Sequence, residues 1–169
     1  MDGFCRPKEK HAELYKRMAK AIYDSPEGLF QNLHEVNRGP MHELNRIMGL
    51  HKDVASNIAA SKAWLLSRPD FHRGLPMYVN TFIGYNPKSD RFRQVAQFFW
   101  SRYSLELDSW RDQPLWSYSL YHFKLQPQRL GTYKALFQQV WRNMGRGGHR
   151  YNLRDNFSAQ IDLKNRKQI

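Results

Sequence analysis

Apolar residues recur along this chain with a helical period over most of its length. From Lys8 to Tyr23, Leu14, Met18, Ala21 and Ile22 fall near helical spacing among Lys, Arg and Glu, which predicts an amphipathic helix. Ser25-Pro26-Glu27 breaks it, and Pro26 after Ser25 predicts a second, short helix through Leu29, Phe30 and Leu33, closed by Asn37-Arg38-Gly39-Pro40. A third helical run, divided at Gly49, covers Met41 to Leu66, with Leu44, Ile47, Met48, Val54, Ile58 and Leu65 as its apolar positions. Ser67-Arg68-Pro69-Asp70 ends it.

The texture changes at Leu75. Pro76-Met-Tyr-Val-Asn-Thr-Phe-Ile-Gly-Tyr85 carries no charge, is rich in β-branched and aromatic residues, and runs into Asn86-Pro87, which predicts a buried strand and a turn. From Asp90, the residues Phe92, Val95, Ala96, Phe99, Trp100 and Tyr103 fall at offsets of 3, 4, 7, 8 and 11, the stripe of a helix docked on a core, with Asp90 complementing its dipole. A polar turn, Glu106 to Asp112, leads to Pro114-Leu-Trp-Ser-Tyr-Ser-Leu-Tyr121, read as a helix because Pro114 suits a first turn. His122-Phe-Lys-Leu125 is read as a short strand. Tyr133, Leu136, Phe137, Val140, Trp141 and Met144 predict a last helix, stopped by Gly145-Arg-Gly-Gly148. The expected class is therefore α+β, predominantly helical, with few short strands packed by amphipathic helices. Residues 1–150 form one expected domain, divided into a helical region (8–70) and a strand-helix-turn-helix region (75–145), with 151–169 as a polar tail.

Composition supports a folded unit. A hydrophobic fraction of 41% in 169 residues supplies enough apolar surface to offset the entropy of ordering. No apolar run approaches the ~20 residues of a membrane helix, so the chain as written is expected to be soluble. One cysteine, Cys5, excludes an internal disulfide. Charge adds a partner class: 27 Lys+Arg against 15 Asp+Glu give a net charge of +12, which suits nucleic acid, nucleotide-sugar phosphates, anionic glycans or membrane surfaces alike. Lys124, Arg129, Lys134, Arg142, Arg146, Arg150 and Arg154 follow one another with no acid between them. They form either a nucleic-acid face or a solvated basic surface.

Several chemistries lack their motifs: there is no Gly-rich phosphate loop ending in Lys-Ser/Thr, no cysteine pair and no HExxH. His34, His42 and His51 are separated by 8 and 9 residues, which does not put them on adjacent turns of one helix. The constellation that stands out is Asn80-Thr81 on the strand, then Trp110-Arg111-Asp112-Gln113 after the aromatic helix. Asp, Asn and Gln side chains bond neighbouring sugar hydroxyls, and Trp or Tyr faces cover the apolar side of the ring, with Trp110, Trp116 and Tyr118 as the stacking candidates. A carboxylate such as Asp112 also suits a general base. The competing reading makes Asp112 and Gln113 the N-terminal signal of the helix that follows.

Met77-Tyr-Val-Asn-Thr-Phe-Ile-Gly-Tyr-Asn86, the helix ending Phe98-Phe-Trp-Ser-Arg-Tyr103, and Arg111-Asp-Gln-Pro-Leu-Trp-Ser-Tyr-Ser-Leu120 together resemble the second half of GT-A-type glycosyltransferases, closest to the DUF616 group. His11 and Arg111-Asp112-Gln113 are the positions that match, and His122 corresponds to that family's C-terminal metal-binding histidine. The resemblance implies an acceptor-side sugar site in which Asn80, Thr81, Trp110, Arg111 and Gln113 bind substrate and Asp112 is catalytic. It also implies a nucleotide-sugar donor and Mn²⁺. This chain departs from the family in having no Asp-x-Asp motif and no upstream βαβ pattern, so neither cofactor is expected to bind to it alone. It is expected to be a fragment, a chain that has lost catalysis, or one whose partner domain or chain supplies the donor site. The compartment expected is the Golgi for part of a longer eukaryotic transferase, and otherwise the cytoplasm. The alternative from another class is a small basic nucleic-acid-binding protein.

Overall fold

In the computed structural model the described residues are 5–7, 12–34, 38–80, 83–105, 107–129 and 137–139. They form β1 (Cys5–Pro7), α1 (Ala12–Asp24), β2 (Leu29–Phe30), α2 (Pro40–Gly49), α3 (Ala55–Leu66), β3 (Gly84–Tyr85), α4 (Asp90–Tyr103), α5 (Asp112–His122) and β4 (Phe137–Gln139). The class is α+β and predominantly helical. The strands make two antiparallel pairs, β1 with β4 and β2 with β3.

The helices follow the apolar periodicity. α1 buries Met18 and Ile22; α2 and α3 bury Leu44, Ile47, Ile58 and Leu65. Helix α4 starts where Ser89 caps it, its Oγ accepting from the Phe92 N–H at 3.2 Å. Gly49 ends α2, so the long helical run is divided where the sequence placed the break.

Residues 27–33 are not helical. Ser25-Pro26-Glu27-Gly28 closes a turn, with the Gly28 N–H donating to the Ser25 carbonyl at 3.1 Å and Gly28 at φ +60. Ser at the first position, Pro at the second and Gly at the fourth make this a turn signature that outweighs a helix start. The chain then runs extended and sealed, Leu29, Phe30 and Gln31 each being 0% exposed. It pairs on both sides. Gln31 N donates to the Gln128 carbonyl and Gln128 N to the Leu29 carbonyl, while His34 N donates to Met77 and Val79 N to Asn32. Of the strand expected over 75–85, the described residues show an isolated bridge from Tyr78 to Leu33, a turn at Asn80 and the two-residue strand β3, while 81–82 lie outside the described residues.

Two further expectations are corrected. His122 to Leu125 is no strand: α5 runs through His122, then turns back on itself, Lys124 N donating to the Tyr121 carbonyl at 2.8 Å and Leu125 N to the Leu120 carbonyl at 2.9 Å. Within the expected helix at 133–144, the described residues Phe137–Gln139 are the strand β4, in register with β1 from Cys5↔Gln139 to Pro7↔Phe137. Pairing with a distant strand overrides local periodicity there. The rest of that span lies outside the described residues.

The core has two clusters that meet on α5. One holds Leu29, Tyr78, Val95, Trp116, Leu120 and Leu125; the other Leu44, Ile47, Ile58, Leu65, Leu75 and Tyr118. α5 packs against α2, α3 and α4, and Gln113 to Leu120 are all buried.

The approach of α2 to the 72–75 loop turns on Gly39. It sits at φ +79, and a Cβ there would lie 2.1 Å from the Arg73 carbonyl oxygen, whereas a Cβ at Gly49 would meet nothing within 4 Å. Gly39→Ala is therefore expected to destabilise the fold by more than ~1 kcal/mol, and Gly49→Ala to stabilise it by roughly 0.5–1 kcal/mol. Urea unfolding of the two variants checks both signs.

Candidate functional site

The N-terminal end of α5 is built by the turn that precedes it. The Asp53 carboxylate accepts from Val54 N at 2.7 Å through Oδ1, and from Ser109 Oγ at 2.6 Å and Trp110 N at 2.7 Å through Oδ2. One side chain thus ties the residue that opens α3 to the turn at 109–110. The Ser109 N–H donates to Ser61 Oγ at 2.7 Å, and the Tyr103 hydroxyl donates to the Trp110 carbonyl at 2.8 Å. Trp110 is held through its backbone on both sides, with its side chain half-buried. Burial first, and then the negative charges of Asp112 and Asp53, push the Tyr103 hydroxyl above the usual phenol range, so it stays a donor.

Asn80 and Asp112, 32 residues apart in sequence, meet here: Asn80 Nδ2 donates to Asp112 Oδ2 at 2.7 Å. Gln31 backs the pair. Its Nε2 donates to Asn80 Oδ1 at 2.6 Å and to the Val79 carbonyl at 3.2 Å, and its Oε1 accepts from the Trp116 indole at 2.7 Å. A chain of hydrogen bonds therefore runs from the core through a fully buried amide to a half-exposed carboxylate, fixing which way Asn80 faces. Asp112 occupies the first position of α5 with Arg111 as the N-cap residue, and no side chain makes the cap hydrogen bond. Its charge complements the helix dipole, while its Oδ2 serves Asn80.

The other residues of the Arg111-Asp112-Gln113 motif face inward. Arg111 Nε donates to Glu43 Oε1 at 3.1 Å and an Arg111 terminal nitrogen donates to Gln113 Oε1 at 2.7 Å. Gln113 is buried and donates to the Tyr78 carbonyl at 3.2 Å. These contacts fasten the turn to α2 and to the 75–80 segment. Trp116 and Tyr118, two of the stacking candidates, are core residues at 5% and 0% exposure.

His122 lies at the opposite end of α5, ten residues or about 15 Å along the axis from Asp112. Its Nδ1 is 2.7 Å from Asp70 Oδ2, and the Tyr118 hydroxyl donates to Asp70 Oδ1 at 2.8 Å. With Asp70 ionised, that imidazole nitrogen carries the proton. Burial and then the bond to Asp70 hold the Tyr118 hydroxyl far above its ordinary range. His122 faces a cleft of about 470 Å³ that Lys124 and Arg129 also line. Among the described residues no three His, Cys, Asp or Glu side chains converge on a point where a metal could sit.

Of the sequence-predicted residues, then, Asn80 and Asp112 are brought together, with Trp110, Arg111 and Gln113 in the turn beside them, and His122, Lys124 and Arg129 are at the far end of the same helix. Thr81, His11, Lys134, Arg142, Arg146, Arg150 and Arg154 lie outside the described residues. Sequence reasoning missed Gln31, Glu43, Asp53 and Asp70, whose long-range partners are 48 to 85, 68, 56 to 57 and 48 to 52 residues away respectively. The one local signal was at Asp53, four residues before Asn57 and next to Val54, in the position of a helix-start acid. Compared with family models, with curated proteins and with solved structures, the chain finds no match.

Burial is the largest single influence on Asp70 and pushes its carboxyl up. The hydrogen bonds from His122 and Tyr118, together with the imidazole's charge, exceed it and hold the carboxyl below its ordinary 3.8. A depressed folded-state value means that this group's contribution to stability is complete above pH 3.8 and is lost as pH falls through the lower value. His122→Ala is expected to raise the Asp70 value toward 3.8 and move the acid-unfolding midpoint to higher pH. NMR titration of the Asp70 side-chain carbon, read beside acid unfolding, checks both.

Proposed function

We propose that the chain is the acceptor-side, sugar-binding part of a nucleotide-sugar glycosyltransferase. Asn80 and Asp112 hold neighbouring hydroxyls of the sugar, and Asp112 accepts the attacking hydroxyl's proton if the reaction inverts. The single observation that carries this reading is the 2.7 Å contact between Asn80 and Asp112. A half-exposed carboxylate and amide, already oriented by the buried Gln31, form the mixed acceptor and donor pair that a diol requires. Such pre-orientation removes part of the entropy cost of binding. The half-buried Trp110 stands two residues before Asp112, and Thr81 follows Asn80 directly. Arg111 and Gln113 act by holding the turn in shape, since Arg111 is bonded to Glu43 and Gln113, and Gln113 also reaches the Tyr78 carbonyl.

Mn²⁺ and the nucleotide belong, in this reading, to a donor-binding half that another domain or chain supplies. Within the chain described here, Asp112 Oδ2 is engaged by Asn80, which steers a substrate proton to the remaining acceptor positions of the carboxylate. Of the basic face proposed for nucleic acid, Lys124 and Arg129 are exposed.

Asp112→Asn keeps shape and removes charge, so it is expected to lower affinity for mono- and oligosaccharides at least ~ten-fold while shifting the melting temperature little. Saturation-transfer NMR against a sugar panel, followed by calorimetry on the best binder, reads the loss. Sugar binding that is absent, or indifferent to Asp112→Asn and Asn80→Ala, sinks the proposal. Tight RNA or DNA binding with a steep salt dependence would favour the nucleic-acid alternative instead.

A further inference from the structure

The cleft at the C-terminal end of α5 is no part of the proposed sugar site. Its volume, about 470 Å³, is within the range of small-molecule sites. Leu33, Pro76, Tyr78 and Pro127 supply apolar wall, and Lys124, Arg129 and His122 supply basic groups. The acid on its lining, Asp70, already has one oxygen at His122 and the other at the Tyr118 hydroxyl.

Two of the basic groups stand on fixed backbone. Lys124 has φ 52, the left-handed conformation at the position just past a helix end where glycine is the usual residue. A lysine there is strained by its own Cβ, and its backbone role would be served better by glycine. The turn is nevertheless held firmly, because the Arg91 guanidinium donates to the Phe123 carbonyl at 3.1 Å and the Lys124 carbonyl at 3.2 Å. Arg129 follows Gln128, whose backbone is paired with Leu29 of β2 and with Gln31 just after it. Its positive charge is felt at the Tyr78 hydroxyl, which burial pushes above the usual range and Arg129 pulls back. His122, with Nδ1 committed to Asp70, has no hydrogen-bond partner for Nε2 among the described residues.

We propose that this cleft binds a small amphipathic anion, its apolar body against Leu33, Pro76, Tyr78 and Pro127 and its oxyanion head against Lys124 and Arg129. The strained conformation of Lys124 is explained on this basis: the residue is kept for its ammonium group at a position where the backbone alone would favour glycine.

The test is calorimetric titration of the full-length chain with 1-naphthyl phosphate, with 1-naphthol and inorganic phosphate as its two halves. Saturable one-to-one binding of 1-naphthyl phosphate is expected, at least ~ten-fold tighter than either half. Lys124→Gly is expected to weaken it at least ~ten-fold while raising the melting temperature, so that loss of binding cannot come from loss of the fold. Arg129→Gln is expected to weaken it by a similar factor at unchanged melting temperature. No saturable binding, naphthol binding as tightly as its phosphate, or affinity unmoved in both variants overturns the proposal. None of these outcomes touches Asn80 or Asp112, so the sugar-site reading stands or falls separately.

Discussion

Eight consecutive residues of α5, Gln113 to Leu120, are buried, and most of the structure can be understood as the means of making that tolerable. A helix sealed on every side gains from its apolar residues, on the order of 1.5–3 kcal/mol for each large side chain fully removed from water. It must also find partners for whatever polar groups it carries inward. Leu115, Trp116, Tyr118 and Leu120 supply the gain. Ser117 Oγ, buried on the same helix, has no hydrogen-bond partner among the described residues; Gln113, the Trp116 indole, the Tyr118 hydroxyl and Ser119 supply the demand that is answered. Each of the four is met from a specific place: Gln113 by the Tyr78 carbonyl and Arg111, Trp116 by Gln31, Tyr118 by Asp70, and Ser119 by its own Leu115 carbonyl at 2.8 Å. Leaving one such group unpaired costs about 1–3 kcal/mol, so these partners fix how the outer elements sit.

Gln31 shows how one residue carries several of these requirements. It is fully buried on an extended segment, and its side-chain amide joins α5 through Trp116 to the 75–80 segment through Val79 and Asn80. Its backbone N–H is at the same time committed to the Gln128 carbonyl. The half-exposed Asn80–Asp112 pair is therefore the outer end of a network whose inner end is core packing. That origin is why the pair is oriented without any ligand, and it also means that orientation by itself serves stability as well as recognition.

Much of the helical framework could be read from the chain. The stripe from Phe92 to Tyr103 became α4, with Val95 fully buried and Phe92 and Phe99 packed on its cluster; Gly49 divided α2 from α3 as expected. Two kinds of signal misled. Leu29, Phe30 and Leu33 have helical spacing by coincidence, and the better evidence was the Ser25-Pro26-x-Gly28 turn followed by unbroken burial. Phe137 also fits a helical stripe, yet its neighbours pair with β1 more than 130 residues away in sequence, which no local window contains. For the candidate site, the residue types at 80 and 112 could be named from sequence because both lie beside recognisable element boundaries. Gln31, Asp53 and Asp70 could not, because what makes them important is a partner tens of residues distant rather than any pattern around them.

The two ends of α5 also differ electrostatically in a way that bears on what each can hold. At the N-terminal end, where the dipole is positive, Asp112 is one carboxylate added to a favourable site, leaving an acceptor-rich surface suited to hydroxyl donors. At the C-terminal end the dipole is negative and would repel an anion on its own. Arg91 offsets this by bonding the Phe123 and Lys124 carbonyls directly, so the terminal dipole is answered before any charge on the cleft wall is considered. The ammonium of Lys124 and the guanidinium of Arg129 are then additional to what the helix end needs. With Asp70 occupied by His122 and Tyr118, the balance of charge on that wall is positive, and it is set by residues drawn from α4, α5 and the strand-like segment after it rather than by the basic composition of the chain as a whole.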